Sequence, residues 1–222
     1  MNSSYKNVEV HNPEAWTDYI CREMNYFLPD YCRGGVVVDC GCNVGAFELT
    51  HLNRFDMYYC YDISQVNLNV LKNNLKDKNI KYKAEKRACW NESNQMIDVY
   101  AHSNEHNQTD YFGNSGNFSV KKGLNPDGVW GWKEENTVDS VKTISLDEIT
   151  ETLAPIKILK IDTEGAEYDF IPGKDLSQIE FIVGEFHNHG SQQWRDIIKF
   201  ICQTHNVIRT DGLHVFTFER KK

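Results

Sequence analysis

The chain predicts a doubly wound α/β fold, with a mostly parallel sheet that closes in an antiparallel hairpin. Three stretches carry the prediction. Residues 36–45, VVVDCGCNVG, run from an apolar strand into Asp39 and then into a turn punctuated by Gly41 and Gly45 ahead of a helix. Residues 155–173, PIKILKIDTEGAEYDFIPG, repeat the theme, with a buried-type strand ending in Asp162. Near the C-terminus, VIRT, Asp211-Gly212 and LHVFTF read as a hairpin with a type I′ turn.

Composition bounds the function classes. A chain of 222 residues suits one domain spanning 1–222. The formal net charge of −8, with scattered basic residues, lacks the basic footprint of a nucleic-acid binder. A neutral or cationic small-molecule acceptor fits better. No apolar run reaches about 18 residues and no signal-like segment opens the chain, so neither a membrane span nor secretion is expected and the expected location is cytoplasmic. Seven cysteines lack any Cys-x-x-Cys spacing. Cys40 and Cys42 flank a glycine as a metal or redox pair would, but the reading adopted is small buried hydrophobes in a reducing compartment.

In chain order, Asn12-Pro13 opens a helix with Trp16, Tyr19, Ile20, Met24, Phe27 and Leu28 on its apolar face, and Pro29 ends it. This is an N-terminal cap over 1–33. After the first strand, the glycines of the loop are expected to let backbone approach a ligand. The spacing fits neither a Gly-x-Gly-x-x-Gly fingerprint nor a Gly-Lys-Ser/Thr phosphate loop. Residues 57–62 form the second strand, and Asp62 at its end stands where a βαβ unit places a ribose-binding carboxylate. Ser64 caps a helix with Val66, Val70, Leu71 and Leu75 on one face. Residues 80–90 read as one third strand and 96–103 as a further β-like stretch.

Residues 104–140 are rich in Asn, Gly and Ser, with aromatics at Tyr111, Phe112, Phe118, Trp130 and Trp132. A loop of that length is expected on the substrate side, where Trp130 and Trp132 either stack on a sugar ring or fasten the loop to the domain. Then come a short strand and helical turn in VKTISLDEI, the Asp162 strand, and a fifth strand in IEFIVGEFHNHG. If that strand stays extended, Glu185, His187 and His189 share one face. An amphipathic helix over 191–205 precedes the hairpin.

The first two stretches resemble the FkbM-type methyltransferases, a family with the class I methyltransferase fold, over about residues 34–186. The selective block is 160–167, KIDTEGAE. The resemblance implies a Rossmann-like seven-stranded sheet, S-adenosylmethionine as cofactor, and O-methylation of natural products or of sugars in glycans. It also implies cofactor contacts at Asp39, Gly41, Asn43 and Gly45 around the methionine end, Asp62 at the ribose, and Ala88 and Cys89 near the adenine.

Methyl transfer to a hydroxyl needs a base near the methyl group. The candidates are Asp162, Glu164 and His187, with His187 or Asp162 preferred and Glu185, Trp130 and Trp132 on the substrate side. Asp162, Glu185, His187 and His189 are weak candidates for a divalent metal, which is not expected. The block after the fourth strand is not the Asn/Asp-Pro-Pro-aromatic of amino-methylating DNA enzymes, and the Lys-Asp-Lys-Glu tetrad of RNA ribose methylation is incomplete. The rival readings are an enzyme for a non-sugar natural product, a non-catalytic cofactor-binding domain of a larger glycan-processing protein, and a metal hydrolase centred on GEFHNHG.

Overall fold

The computed structural model describes Thr17, Cys21 and residues 26–101, 118–121, 137–211 and 215–222. Its main sheet has seven strands: β1 (Val36–Cys40), β2 (Met57–Asp62), β3 (Tyr82–Lys86), β8 (Ile156–Ile161), β9 (Ile179–Glu185), β10 (His205–Asp211) and β11 (Val215–Arg220), in the order β10-β11-β9-β8-β1-β2-β3. Strands β3, β2, β1, β8 and β9 run parallel, while β11 and β10 are antiparallel. The chain winds outward from β1 to β3 and then returns to lay β8 beside β1. Such a switch point opens a crevice at the carboxyl ends of the two strands.

Strand alternation builds a core on both faces. Val38, Leu159, Ile161 and Ile182 pack with Leu146 and Ile149 of α3 (Leu146–Leu153) and with Ile197 and Ile201 of α5 (Gln192–Ile201). Val37, Ile158, Phe181 and Val183 pack with Leu68, Leu71 and Leu75 of α2 (Gln65–Leu75) and with Phe47 of α1 (Ala46–Thr50). Three helices start where serine predicts: the hydroxyls of Ser64, Ser145 and Ser191 accept hydrogen bonds from the amides of Asn67, Glu148 and Trp194.

Several boundaries differ from the sequence reading. The stretch 80–90 is two strands, because after β3 the chain turns at Arg87 and β4 (Ala88–Cys89) joins a second, four-stranded sheet of order β4-β7-β5-β6. Strand β7 (Thr137–Ile144) belongs there too, paired with β5 (Met96–Ala101), and β6 (Phe118–Ser119) forms the edge. Of the stretch 104–140, the described residues thus include one short strand, β6, and the first residues of β7. Asp211 is still in β10 and pairs with Val215, so the connection spans 212–214 rather than the dipeptide Asp-Gly. Helix α5 ends at Ile201, and β9 ends at Glu185. Thr17 and Cys21 are helical, whereas Phe27 and Leu28 are not. The remainder of the N-terminal helix, Tyr111, Phe112, Trp130, Trp132 and Gly212 lie outside the described residues. Among those residues, no helix is long and apolar enough to cross a membrane.

Candidate active site

An open cleft, with about 570 Å³ of free space that merges with solvent, lies over the switch point and has two sides. One side holds Gly41, Asn43, Tyr61, Asp62, Asn67, Arg87, Ala88 and Cys89. The other holds Asp162, Thr163 and Glu164. The walls thus include Gly41, Asn43, Asp62, Ala88 and Cys89 of the expected cofactor contacts. Tyr61, Asn67, Arg87, Val120 and Thr163 also line it and were not foreseen. Asn67, three residues beyond the Ser64 cap and facing the strand end, was the detectable one.

Asp62 is buried, and burial pushes its carboxyl up to about 6 against the amides that hold it. Oδ1 accepts from the Ser64 amide at 2.7 Å, and Oδ2 from the Asn43 amide at 2.9 Å. The same carboxylate therefore lines the cleft and fastens the glycine loop. Each carboxylate oxygen still has acceptor capacity for a ligand hydroxyl.

The two glycines serve the chain itself. A Cβ on Gly41, at φ +79°, would lie 1.7 Å from the Asp162 carbonyl oxygen. One on Gly45, at φ +83°, would lie 3.0 Å from Leu71 Cγ. Gly41 allows β1 to turn against the end of β8, and Gly45, outside the lining, seats the start of α1 against α2.

Asp39 does not reach the cleft. It is fully buried beneath the loop, where it meets Lys160, its register partner on β8, as an ion pair at 2.9 Å rather than an aligned hydrogen bond. Burial alone would lower the Lys160 ammonium, but the charges of Asp39 and Asp162 outweigh it and hold the amine protonated. Glu48 on α1 is equally buried. Burial and the neighbouring Asp39 raise its carboxyl well above the usual range, so it keeps its proton.

His187 follows β9, where the chain has left the extended conformation. Its Nδ1 lies 3.2 Å from Glu167 and its Nε2 3.3 Å from Glu164, with Asp162 and Glu185 each 4.0 Å away. Burial would lower its pKa, but Glu167 and Glu164 overcome that and raise it well above the usual value. The ring is an imidazolium at neutral pH. Glu167, at the start of α4 (Glu167–Phe170), is fully buried and accepts from the amides of Gly165 and His187 at 2.9 and 2.8 Å. Those bonds and the imidazolium overcome burial and keep it ionised. Glu185 is raised to about 7, by burial first and then by the charge of Asp162. Asp162 Oδ2 accepts a hydrogen bond from Tyr26 at 3.0 Å, which ties the N-terminal segment to this end of β8.

Asp162, Glu185 and His187 each place one ligand-type atom within 4.8 Å of the others, so the fifth strand and the Asp162 strand meet as expected. His189 does not join them, because the chain turns at Asn188, φ +53°, and the His189 ring packs edge-on against Trp194 at 4.8 Å. A metal on His187 Nε2 has to displace the proton held between that nitrogen and Glu164.

Sheet order, switch-point cleft and acidic strand ends define a Rossmann-like α/β protein of the methyltransferase class. The chain belongs to the FkbM methyltransferase family: the description "Methyltransferase FkbM domain" matches residues 39–210. Three solved structures are similar to it. The FkbM methyltransferase from Methylobacillus flagellatus is 13% identical, with a TM-score of 0.49, and the match covers 95% of this chain and 48% of that one. The chain therefore spans about half the length of that relative. TrmK from M. capricolum, solved with S-adenosyl-homocysteine, is 10% identical, with a TM-score of 0.46 and coverage of 93% and 68%. A protein of the NADB-Rossmann superfamily from Streptococcus agalactiae is 9% identical, with a TM-score of 0.46 and coverage of 92% and 67%. No curated protein matches the chain.

Proposed function

We propose that the protein is an S-adenosylmethionine-dependent O-methyltransferase acting on a hydroxyl of a sugar. The observation that carries the reading is the shared cleft, with loop backbone and Asp62 on one wall and Asp162 and Glu164 on the other. When bound, S-adenosylmethionine supplies a methyl group already activated by positive sulfur. Gly41, Asn43, Asp62, Ala88 and Cys89 hold the cofactor, with Asp62 accepting the ribose hydroxyls. Asp39 and Gly45 support the loop from beneath.

Transfer of that methyl to a hydroxyl would require an acceptor held in line with it and a group to take the hydroxyl proton. That proton passes to Asp162, the carboxylate that both lines the cleft and stands in the acidic cluster. Glu185 beside it titrates near neutral pH and receives the proton in turn. His187 is the fixed cation of the group. Its charge balances Glu164 and Glu167, and its protons keep those carboxylates turned toward it. The sugar assignment rests on the family resemblance and on Trp130 and Trp132. A panel of glycans, non-sugar natural products and RNA separates it from its competitors.

Calorimetric titration with S-adenosylhomocysteine should give micromolar binding that is unchanged by EDTA and by added magnesium. No binding in either condition removes the cofactor reading; binding that EDTA abolishes reinstates the metal reading of Asp162, Glu185 and His187.

A pH profile gives an independent check. Glu185 is raised from 4.5 to about 7, so the fold favours its protonated form. The stability it contributes is present below about pH 4.5 and is lost as pH rises through about 7. Turnover runs the other way, rising as Glu185 ionises through about pH 7. In Glu185→Gln that limb should vanish. A variant that keeps the same limb would take Glu185 out of the proton path.

A further inference from the structure

Lysine is an unusual residue for the middle of a sheet that is covered on both faces. Lys160 is 4% exposed and stands on β8 between Leu159 and Ile161, both fully buried. Its ion pair with Asp39 is a weak reason for its presence, because a well-packed apolar pair in place of a buried ion pair is often as stable or more so. A second contact has no apolar equivalent. Nζ donates to the carbonyl oxygen of Gly41 at 2.6 Å, at the first residue of the glycine loop. The Tyr26 ring closes over the ammonium at 5.7 Å, and the same tyrosine's hydroxyl holds Asp162.

The direction of that carbonyl matters for the loop. Gly41 is at φ +79°, and its amide and that of Cys42 both donate to Tyr61 O, at 2.8 and 3.1 Å. With the amides fixed on β2, the Gly41 carbonyl turns inward toward β8, and the chain then presents Asn43 to Asp62 and to the cleft. An inward carbonyl needs a buried donor, and Lys160 supplies it. Without one, a buried backbone acceptor stays unsatisfied and the loop gains by turning that group toward solvent.

We infer that Lys160 is the positioning residue of the cofactor loop: its ammonium holds the Gly41 carbonyl beneath the loop and thereby fixes the backbone that lines the cleft. The inference rests on the reading that this cleft binds S-adenosylmethionine. Lys160 is buried and is not among the residues that line the cleft. It acts through Gly41.

Two charge-neutral double variants separate loop positioning from charge balance. Asp39→Asn/Lys160→Gln keeps a donor at this depth, and Asp39→Asn/Lys160→Met removes it, while neither leaves a buried charge unpaired. Each is compared with the unaltered protein by urea unfolding and by calorimetric titration with S-adenosylhomocysteine. At matched unfolding midpoints, the methionine double variant should bind at least about tenfold more weakly than the glutamine one. Equal affinity within about twofold overturns the inference and leaves Lys160 as the counter-charge of Asp39. If either double variant does not fold, Lys160→Arg decides, since it keeps the charge while its longer planar head cannot repeat the short Gly41 contact. A loss of about tenfold supports the inference, and unchanged affinity in the folded variant overturns it. An unaltered protein that binds no S-adenosylhomocysteine instead removes the cofactor reading beneath it, an outcome distinct from unequal or equal binding among the variants.

Discussion

Gly41→Ala should unfold the protein, whereas Gly173→Ala should cost no more than the strain of its left-handed backbone. Both glycines have φ +79°, so the left-handed backbone costs an alanine about 1–2 kcal/mol at either site. The surroundings differ. At Gly173 nothing lies within 4 Å of the added methyl, and at Gly41 it would sit 1.7 Å from the Asp162 carbonyl oxygen. That neighbour is main chain in the central strand pair, and it cannot move away without opening the β1–β8 ladder where Asp162 N donates to Cys40 O at 2.9 Å. The expected loss at Gly41 is about 4 kcal/mol or more, read as the shift in urea midpoint at constant slope. A Gly41→Ala protein with the midpoint of Gly173→Ala would show that the turn can relax and that its tight approach is not what requires glycine.

Asp162→Asn should lower kcat by about 10²- to 10⁴-fold while S-adenosylhomocysteine affinity stays within about threefold. The carboxamide keeps the shape and can still accept the Tyr26 hydrogen bond, so the fold and the tie to the N-terminal segment survive. What disappears is the carboxylate oxygen proposed to take the acceptor's proton. Loss of cofactor affinity in step with rate would make Asp162 a binding group. An unchanged rate would transfer the proton-accepting role to Glu185, whose pKa near 7 suits it.

The central strands were legible in the sequence because they are buried on both faces and so read as continuous apolar runs, as in VVV at 36–38 and FIV at 181–183. The cleft was legible through acids at strand ends, with Asp62 and Asp162 each standing just where an apolar run stops. What the sequence hid depends on partners far apart in the chain. Asp39 was expected at the cofactor, and its inward direction follows from Lys160 lying opposite it across β1 and β8. A lysine inside an apolar strand was the available signal, since its burial demands an acid at equal depth. His187 read as a free base because four residues of loop and helix separate Asp162 from Glu167, and only folding brings Glu164 and Glu167 onto both sides of the ring. The break at Arg87 left no mark in local hydrophobicity. It is set by β7, whose Thr143 carbonyl accepts from the Arg87 guanidinium at 3.0 Å and whose backbone pairs with β4.

The second sheet gives the domain a division of labour that bears on how such enzymes diversify. Residues 102–117 and 122–136 join β5 to β6 and β6 to β7, so both segments begin and end on the small sheet and neither interrupts the strands that carry the glycine loop. Among the described residues, the small sheet lends Ala88 and Cys89 of β4 to the cleft wall and is tied to the far end of β8 by the Ser119 hydroxyl on the Glu164 carbonyl at 2.8 Å and by the ion pair of Lys121 with Asp169. Lengthening or rewriting those two segments costs little loop-closure free energy, because added length raises it only logarithmically. Their sequence can therefore change without renegotiating the main sheet, and grafting experiments between family members should exchange these segments from β5 to β7 as one cassette.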